Sequence, residues 1–232
     1  MKSDSGGEAA KRAAGVAAAD EVEPGALVGL GTGSTAAHAI RRLGERVADG
    51  LDVTGVTTSY QSRQLARDVG VPLESLDAVE SVDVAIDGAD QVAADANALV
   101  KGGGAAHARE KIVAGAADRF VVVADDTKLV DALDFPVPVE VLPDARSTVA
   151  AAVRDAGGDP ALRAAERKDG PVVTDNGNLV LDCEFGGVDD PASLSATLSA
   201  TPGVVEHGLF VGLADAVVVG SADGAAATRT LK

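Results

Sequence analysis

Short apolar runs alternate with longer stretches in which Ala, Leu, Ile and Val recur at helical spacing over the first two thirds of the chain. EAAKRAAGVAAADEV predicts an opening helix stopped at Pro24-Gly25. ALVGLG predicts a buried strand, and after a Thr-Gly-Ser-Thr turn TAAHAIRRLGERVADG predicts a second helix. The strand VTGVTTS, the helix YQSRQLARDVG, the strand VDVAID, a long loop, the helix AAHAREKIVAGAA and the strand RFVVVAD continue the rhythm. Apolar runs bounded by turn signals and separated by helical patterns are the mark of βαβ units. The expected fold class is α/β, a Rossmann-like, mostly parallel sheet with helices on both faces.

From about Phe135 the pattern changes. VPVEVLP reads as a strand, ARSTVAAAVRDAGG as a helix, and PVVTDNGNLVLDCEF as two strands joined at Asn176-Gly177, a dipeptide whose residues tolerate positive φ. The helix PASLSATLSATPG and the short strand VVEHGLF complete a β-α-β-β-α-β order, that of a small split-βαβ, ferredoxin-like α+β unit. The final strand, DAVVVG, is expected to return to the large sheet. This divides the chain into a Rossmann-like domain of residues 1–134 and 208–232 and a ferredoxin-like domain of residues 135–207. There is no internal repeat, and the first few residues are expected to be disordered.

Composition narrows the functional classes. A chain of 232 residues, 46% of them hydrophobic, can bury a full core. No apolar run approaches the roughly 18 residues of a membrane span, and the N-terminal segment is too polar and acidic for a secretory signal, so the expected location is the cytoplasm. Against 20 Lys and Arg stand 36 Asp and Glu, a formal charge of −16 that disfavours nucleic acid and anionic membranes as partners. So large a charge, with Tyr60 as the only Tyr and no Trp, also suits a salt-adapted protein in which screening relieves repulsion between carboxylates. Cys183 cannot form an intramolecular disulfide, and LVLDCEF around it reads as a strand carrying a small core residue. His38, His107 and His207 have no ligand spacing, so no metal is expected and each is read as a surface or helix-packing residue.

The chemistry concentrates at predicted strand ends. Gly29-Leu30-Gly31-Thr32-Gly33-Ser34-Thr35 leaves a strand and enters a helix, where N–H groups and hydroxyls converge on the positive end of the helix dipole and suit a phosphate. It lacks the last glycine of a dinucleotide fingerprint and the lysine of a P-loop, and the lesser alternative is a tight turn with Ser34 or Thr35 as cap. Thr57-Thr58-Ser59 adds hydroxyls or another cap at the next strand's end. Asp87-Gly88-Ala89-Asp90 follows a buried run at the carboxyl edge, where open α/β sheets bind ligands. Asp125 and Lys128 add charge there, or cap a helix. Lys101-Gly102-Gly103-Gly104 is costly in backbone entropy and implies close approach or unusual dihedrals. Glu110 is expected about two turns into the following helix, where a plain Glu–Lys surface pair is the alternative. Two aspartates, a lysine, a glycine nest and a glutamate in one span are the groups that proton transfer beside a developing oxyanion requires.

Taken together, VEPGALVGLGTGST, TTSYQS, DVAIDGAD, LVKGGGAAHAREKIV, VVVADDTK, VTDNGNLVLD and PGVVEHGLF resemble the ribose-5-phosphate isomerase family of type A over nearly the whole chain. The resemblance implies a Rossmann-like catalytic domain with a small ferredoxin-like lid domain, in a homodimer or homotetramer acting on a small sugar phosphate without cofactor, interconverting ribose 5-phosphate and ribulose 5-phosphate. It implies that Glu110 is the base moving a proton between C2 and C1, and that Lys101, aided by the backbone of Gly102 and Gly103, stabilises the enediolate. Asp87, Gly88, Ala89 and Asp90 would hold sugar hydroxyls, the two aspartates assisting ring opening. Thr32, Gly33, Ser34, Thr35, Lys11 and Lys128 would hold the substrate or its phosphate. The family's DGADE is DGADQ here, so Gln91 replaces an acid, and the loop from Asp90 to Lys101 is slightly longer than the family pattern. Competing readings are a related sugar-phosphate deaminase or lactonase, which needs a different catalytic set with His107 the one candidate histidine, and a non-enzymatic sugar-phosphate-sensing domain, which would not need Glu110.

Overall fold

The computed structural model describes residues 7–167 and 169–231, so the N-terminal residues expected to be disordered lie outside the described residues. In chain order the elements are α1 (Glu8–Asp20), β1 (Leu27–Leu30), α2 (Ser34–Ala48), β2 (Thr54–Thr57), α3 (Tyr60–Asp68), β3 (Leu73–Glu74) and β4 (Val82–Gly88). There follow β5 (Gln91–Ala93), β6 (Ala98–Val100), α4 (His107–Gly115), β7 (Ala117–Asp125), β8 (Val137–Val141), α5 (Arg146–Asp155) and β9 (Asp159–Leu162). Last come β10 (Leu179–Glu184), α6 (Pro191–Ser199), β11 (Val204–His207), β12 (Leu209–Val211), β13 (Ala216–Gly220) and β14 (Ala226–Thr230).

Two compact units emerge. One comprises Asp90–Ala108 with Val130–Gly212; the other holds the described chain up to Ala89, Arg109–Leu129 and the chain from Leu213. This division differs from the expected one chiefly in Asp90–Ala108. The reason is packing: Ala93, Ala98 and Val100 bury themselves in the same apolar cluster as Val137, Val139, Val149 and Leu181.

The larger unit is built on a seven-stranded sheet in the order β14-β13-β7-β4-β1-β2-β3, parallel except for the β13–β14 pair. Its parallel strands are apolar runs because both faces are covered. Leu30, Ile40, Leu43, Ile86, Val121, Val123 and Val218 share one core with the alanines of α1. Helix α4 lies close against β1: a Cβ on Gly29 would stand 2.5 Å from Val113 Cγ1. β14, absent from the sequence expectation, is exposed along its whole length, so AATRT carries no apolar signal.

In the other unit β8, β9, β10 and β11 form an antiparallel sheet in the order β11-β8-β10-β9, and β12, β6 and β5 form a second, three-stranded one. The β-α-β-β-α-β order is as expected, but its second strand is not the arm before Asn176-Gly177. That arm makes only isolated bridges, Ala164 with Pro171 and Val173 with Leu179, and the strand beside β10 is β9. Pro160 masks β9 in the sequence; a proline without an N–H is tolerated there because β9 is an edge strand. The Asn176-Gly177 turn does form, with Gly177 at φ +87° and its N–H donating to Thr174 O at 2.9 Å. Buried Glu140 anchors it, since Glu140 Oε1 accepts from Thr174 Oγ1 (2.8 Å), Asn176 Nδ2 (3.0 Å) and Asn178 Nδ2 (2.8 Å).

Two expectations change in detail. The loop before Lys101 is the β5–β6 hairpin, closed through Asn97 in the left-handed region at φ +42°. VVEHGLF is broken at Gly208 into β11 and β12. Gly208 N donates to Pro138 O at 2.7 Å, and a Cβ on Gly208 would stand 2.2 Å from Lys101 O. Cys183 is fully buried on β10, and burial, then the neighbouring Asp182 charge, push its thiol pKa up to about 12, which leaves it a protonated core residue.

Candidate active site

In a parallel sheet all carboxyl ends lie on one edge, and the order β7-β4-β1-β2 sets Asp125–Lys128, Asp87, Thr32 and Thr58–Ser59 along that edge side by side. Asp87, 3% exposed, accepts through Oδ1 from the N–H groups of Thr32 (3.0 Å) and Gly88 (2.7 Å). Gly31 permits this, because a Cβ there would stand 2.1 Å from Asp87 Oδ1. The requirement at Gly31 was not singled out in the sequence; its only signal is a glycine closing an apolar strand run. Thr32 Oγ1 lies 2.7 Å from Thr58 Oγ1 and donates to Ser59 Oγ at 2.7 Å. Ser59 is also the N-cap of α3, in a capping box with Ser62, so the cap reading of this residue is correct.

The glycine turn resolves against its capping alternative. The N-cap of α2 is Gly33, at φ +112°, and no side chain caps the helix. Ser34 is exposed as the first residue of α2 and Thr35 is next to it. The first N–H groups of a helix have no intrahelical partner, so this end presents donors and a hydroxyl to whatever lies before it. Lys11 is buried on α1, one turn before Gly15, whose missing Cβ would stand 2.8 Å from Thr35 O, so this face of α1 runs along the start of α2. Lys128, 7% exposed, ends a single 3-10 turn after β7, and Asp125 caps that turn through Thr127 N at 3.1 Å.

Glu110 is in the first turn of α4 rather than two turns in, because the chain passes through Ala105 at φ +58° before the helix begins at His107. It is 4% exposed, one turn ahead of the Val113 that packs on Gly29. A helix feeding the start of a parallel strand has its own N-terminus at the sheet's carboxyl edge, so Glu110 belongs to the edge that carries Asp87.

The other unit holds the remaining residues. Asp90 N donates to Val100 O at 2.8 Å, prolonging the β5–β6 ladder so that Asp90 and Lys101 flank the base of one hairpin. Lys101 is 2% exposed, its N–H donates to Gly208 O at 2.9 Å, and its Nζ lies 5.4 Å from the Phe210 ring centre. Gly102 adopts φ +101°, and Gly103 N donates to Asp90 Oδ2 at 2.8 Å. A Cβ on Gly103 would stand 2.6 Å from Asp90 Oδ1, and one on Gly102 2.7 Å from His107 Nδ1, so both unusual dihedrals and close approach apply. His107 and His207 are buried packing residues, and His38 pairs with Glu8 at 2.9 Å.

Gln91 faces neither Asp90 nor Lys101. Its Oε1 accepts from the N–H groups of Asp134 (3.0 Å) and Phe135 (2.8 Å), and its Nε2 donates to the Asp134 carboxylate. An acid could accept the first two bonds but would set a second negative charge against Asp134. Gln91→Glu is therefore expected to destabilise the fold by about 1 kcal/mol, as one lost hydrogen bond and one like-charge contact imply. Thermal melts at pH 7 should show a drop of roughly 2–4 °C for a chain of this size, and an unchanged melting temperature would refute the pairing argument.

The family model for ribose 5-phosphate isomerase A (phosphoriboisomerase A) matches residues 54–224. Ribose-5-phosphate isomerase A of Haloarcula marismortui is 67% identical over 226 residues, covering 97% of each chain. The solved structure of ribose 5-phosphate isomerase A from Methanocaldococcus jannaschii superposes with a TM-score of 0.90 at 43% identity, covering 95% of this chain and 97% of that one. A solved D-ribose-5-phosphate isomerase in complex with phospho-erythronic acid gives a TM-score of 0.90 at 42% identity, again covering 95% and 97%.

Proposed function

The chain belongs to the ribose 5-phosphate isomerase A family, and from that premise we propose that it interconverts ribose 5-phosphate and ribulose 5-phosphate through an enediolate, with Glu110 as the base. The observation that carries the reading is the distribution of buried charge. The charged side chains buried among the described residues are Lys11, Asp87, Lys101, Glu110, Asp125, Lys128 and Glu140. Asp125 caps a turn and Glu140 anchors one, while Lys11, Asp87, Lys101, Glu110 and Lys128 are the kinds of group that phosphate binding and proton transfer beside an oxyanion use.

In this reading Lys11, Lys128 and the start of α2, with Thr32, Gly33, Ser34 and Thr35, hold the phosphate. Asp87 and Asp90 bind sugar hydroxyls and exchange protons as the ring opens. Glu110 takes the C2 proton of the open-chain aldose, and the electrons move toward O1. The Lys101 ammonium and the N–H groups of the glycine loop stabilise that charge. Glu110 then returns its proton to C1 while the O2 proton passes to O1, which yields the ketose. Desolvation around the carboxylate and polarisation of the carbonyl by Lys101 close the gap between a weak base and a sugar C–H. We place the enzyme in the cytoplasm as a homodimer or homotetramer; no helix among the described residues is long and apolar enough to cross a membrane.

A coupled assay of ribose 5-phosphate conversion, run with chelator at low and molar salt, tests the proposal; no conversion in any condition would overturn it. Ser34→Ala is expected to raise KM about tenfold with kcat little changed, since a bond to a charged phosphate contributes roughly 1.5–3 kcal/mol in both ground and transition states. A fall in kcat at constant KM would contradict a phosphate-binding role.

A further inference from the structure

Arg163 directly follows β9, in a stretch to which the sequence pattern assigns no element. Its guanidinium, 10% exposed, divides its donors between two partners. One edge grips Asp182 on β10, with Nε 2.9 Å from Oδ2 and 3.1 Å from Oδ1 and Nη2 also bonded to Oδ1. The remaining nitrogen, Nη1, donates to the carbonyl oxygens of Gly102 (2.9 Å) and Gly103 (3.3 Å). An ion pair alone would need only the first edge. Here the second reaches the backbone of the loop that carries Lys101.

The consequence follows from peptide geometry. In a trans peptide the C=O and the next N–H point in opposite directions, and no cis bond occurs among the described residues. Holding Gly102 O toward Arg163 therefore turns the Gly103 N–H away from it, and that N–H is the one donating to Asp90 Oδ2 at 2.8 Å. Holding Gly103 O likewise turns the Gly104 N–H away from Arg163. Three consecutive glycines have little preference of their own between the two orientations of such a plane. A flipped 102–103 plane would aim a carbonyl oxygen at Asp90 and remove a donor from the place where negative charge develops.

We propose that Arg163, oriented by Asp182, is a positioning residue for the isomerase reaction: it fixes the peptide planes of the Lys101–Gly104 loop with N–H groups facing Asp90 and the enediolate. This rests on the isomerase reading above. It deepens that reading by adding two residues that act through the backbone of the Lys101 loop.

The test is a comparison of wild type, Arg163→Ala and the neutral pair Arg163→Met/Asp182→Leu, with kcat and KM for ribose 5-phosphate, the inhibition constant of phospho-erythronic acid and the melting temperature measured for each. The neutral pair guards against misfolding, because apolar replacement of a buried ion pair often leaves stability intact. Phospho-erythronic acid carries a carboxylate in place of the reacting carbons, so its affinity reports on the oxyanion side of the site. The expected result is a kcat about tenfold lower in both variants, KM within about threefold of wild type and an inhibition constant about tenfold higher, a split that marks loss of transition-state stabilisation. A neutral pair with wild-type melting temperature and wild-type kcat would overturn the proposal, as would kcat and KM falling off only in step with the melting temperature. A wild type without isomerase activity would instead overturn the isomerase reading.

Discussion

Glu110→Gln should lower kcat by at least about two decades, because general-base contributions run roughly 10² to 10⁴-fold. Gln preserves the size of the side chain and most of its hydrogen-bonding capacity but cannot take a proton from carbon. KM should change by less than about threefold, since the phosphate contacts assigned to the α2 turn and the lysines supply binding in ground and transition states alike. The fold should survive the substitution. Glu110 is in the first turn of α4, where a negative charge gains about 0.3–1 kcal/mol from the helix dipole, and losing that gain is offset by no longer burying a carboxylate. Steady-state kinetics beside a thermal melt separate the effects. A turnover number equal to wild type would remove Glu110 from the base role, whatever happened to stability.

Gly31→Ala should damage stability and catalysis together. The added methyl would stand 2.1 Å from Asp87 Oδ1 and 2.6 Å from Asp87 Cα, so neither a rotamer change nor a small shift of one side chain can accommodate it. Either strand β1 moves, and the ladder to β4 and β2 moves with it, or Asp87 gives up the Thr32 and Gly88 N–H groups. Overpacking costs typically about 1–3 kcal/mol, and each hydrogen bond to a charged group adds about 1.5–3 kcal/mol. If Asp87 gives up both bonds the loss is about 3–6 kcal/mol, a fall in melting temperature on the order of 10 °C. The kcat/KM should fall more than tenfold in the protein that remains folded. A variant melting within about 2 °C of wild type, with normal activity, would show that the contact relaxes freely and would sink the idea.

How much was legible in the sequence depends on how local the cause of each feature is. The parallel core was legible because strands buried on both faces must be apolar runs, and β1, β4 and β7 are such runs. β14 was not, because AATRT is exposed and owes its pairing entirely to β13. β9 was hidden by Pro160, whose tolerance depends on being at an edge, a fact of topology rather than of local pattern. The β5–β6 hairpin was taken for a loop because each arm is three residues long and its turn depends on Asn97 entering the left-handed region. At the site, the residue types and their strand-end positions could be read directly. The division of labour among hydroxyls could not: nothing local tells Ser59, which caps α3, from Ser34, which caps nothing. Arg163 was invisible because its meaning lies in bonds to residues some sixty positions earlier. Gln91 was visible only as a departure from a pattern, and Asp134 supplies its reason.

The Ser59 hydroxyl has a consequence for how this enzyme can be altered. One oxygen receives the Ser62 N–H that starts α3, at 3.1 Å, and the Thr32 hydroxyl from the turn before α2, at 2.7 Å. The atom is thus shared between a helix start and the hydroxyl of Thr32, a residue proposed above to hold substrate. Both bonds are made at once, because a hydroxyl oxygen has two lone pairs, so replacing Ser59 removes both together. On the proposed reading, an engineer who replaces Ser59 alters the start of α3 and the setting of Thr32 in one step, whereas the exposed strand β14 offers positions for added robustness away from both.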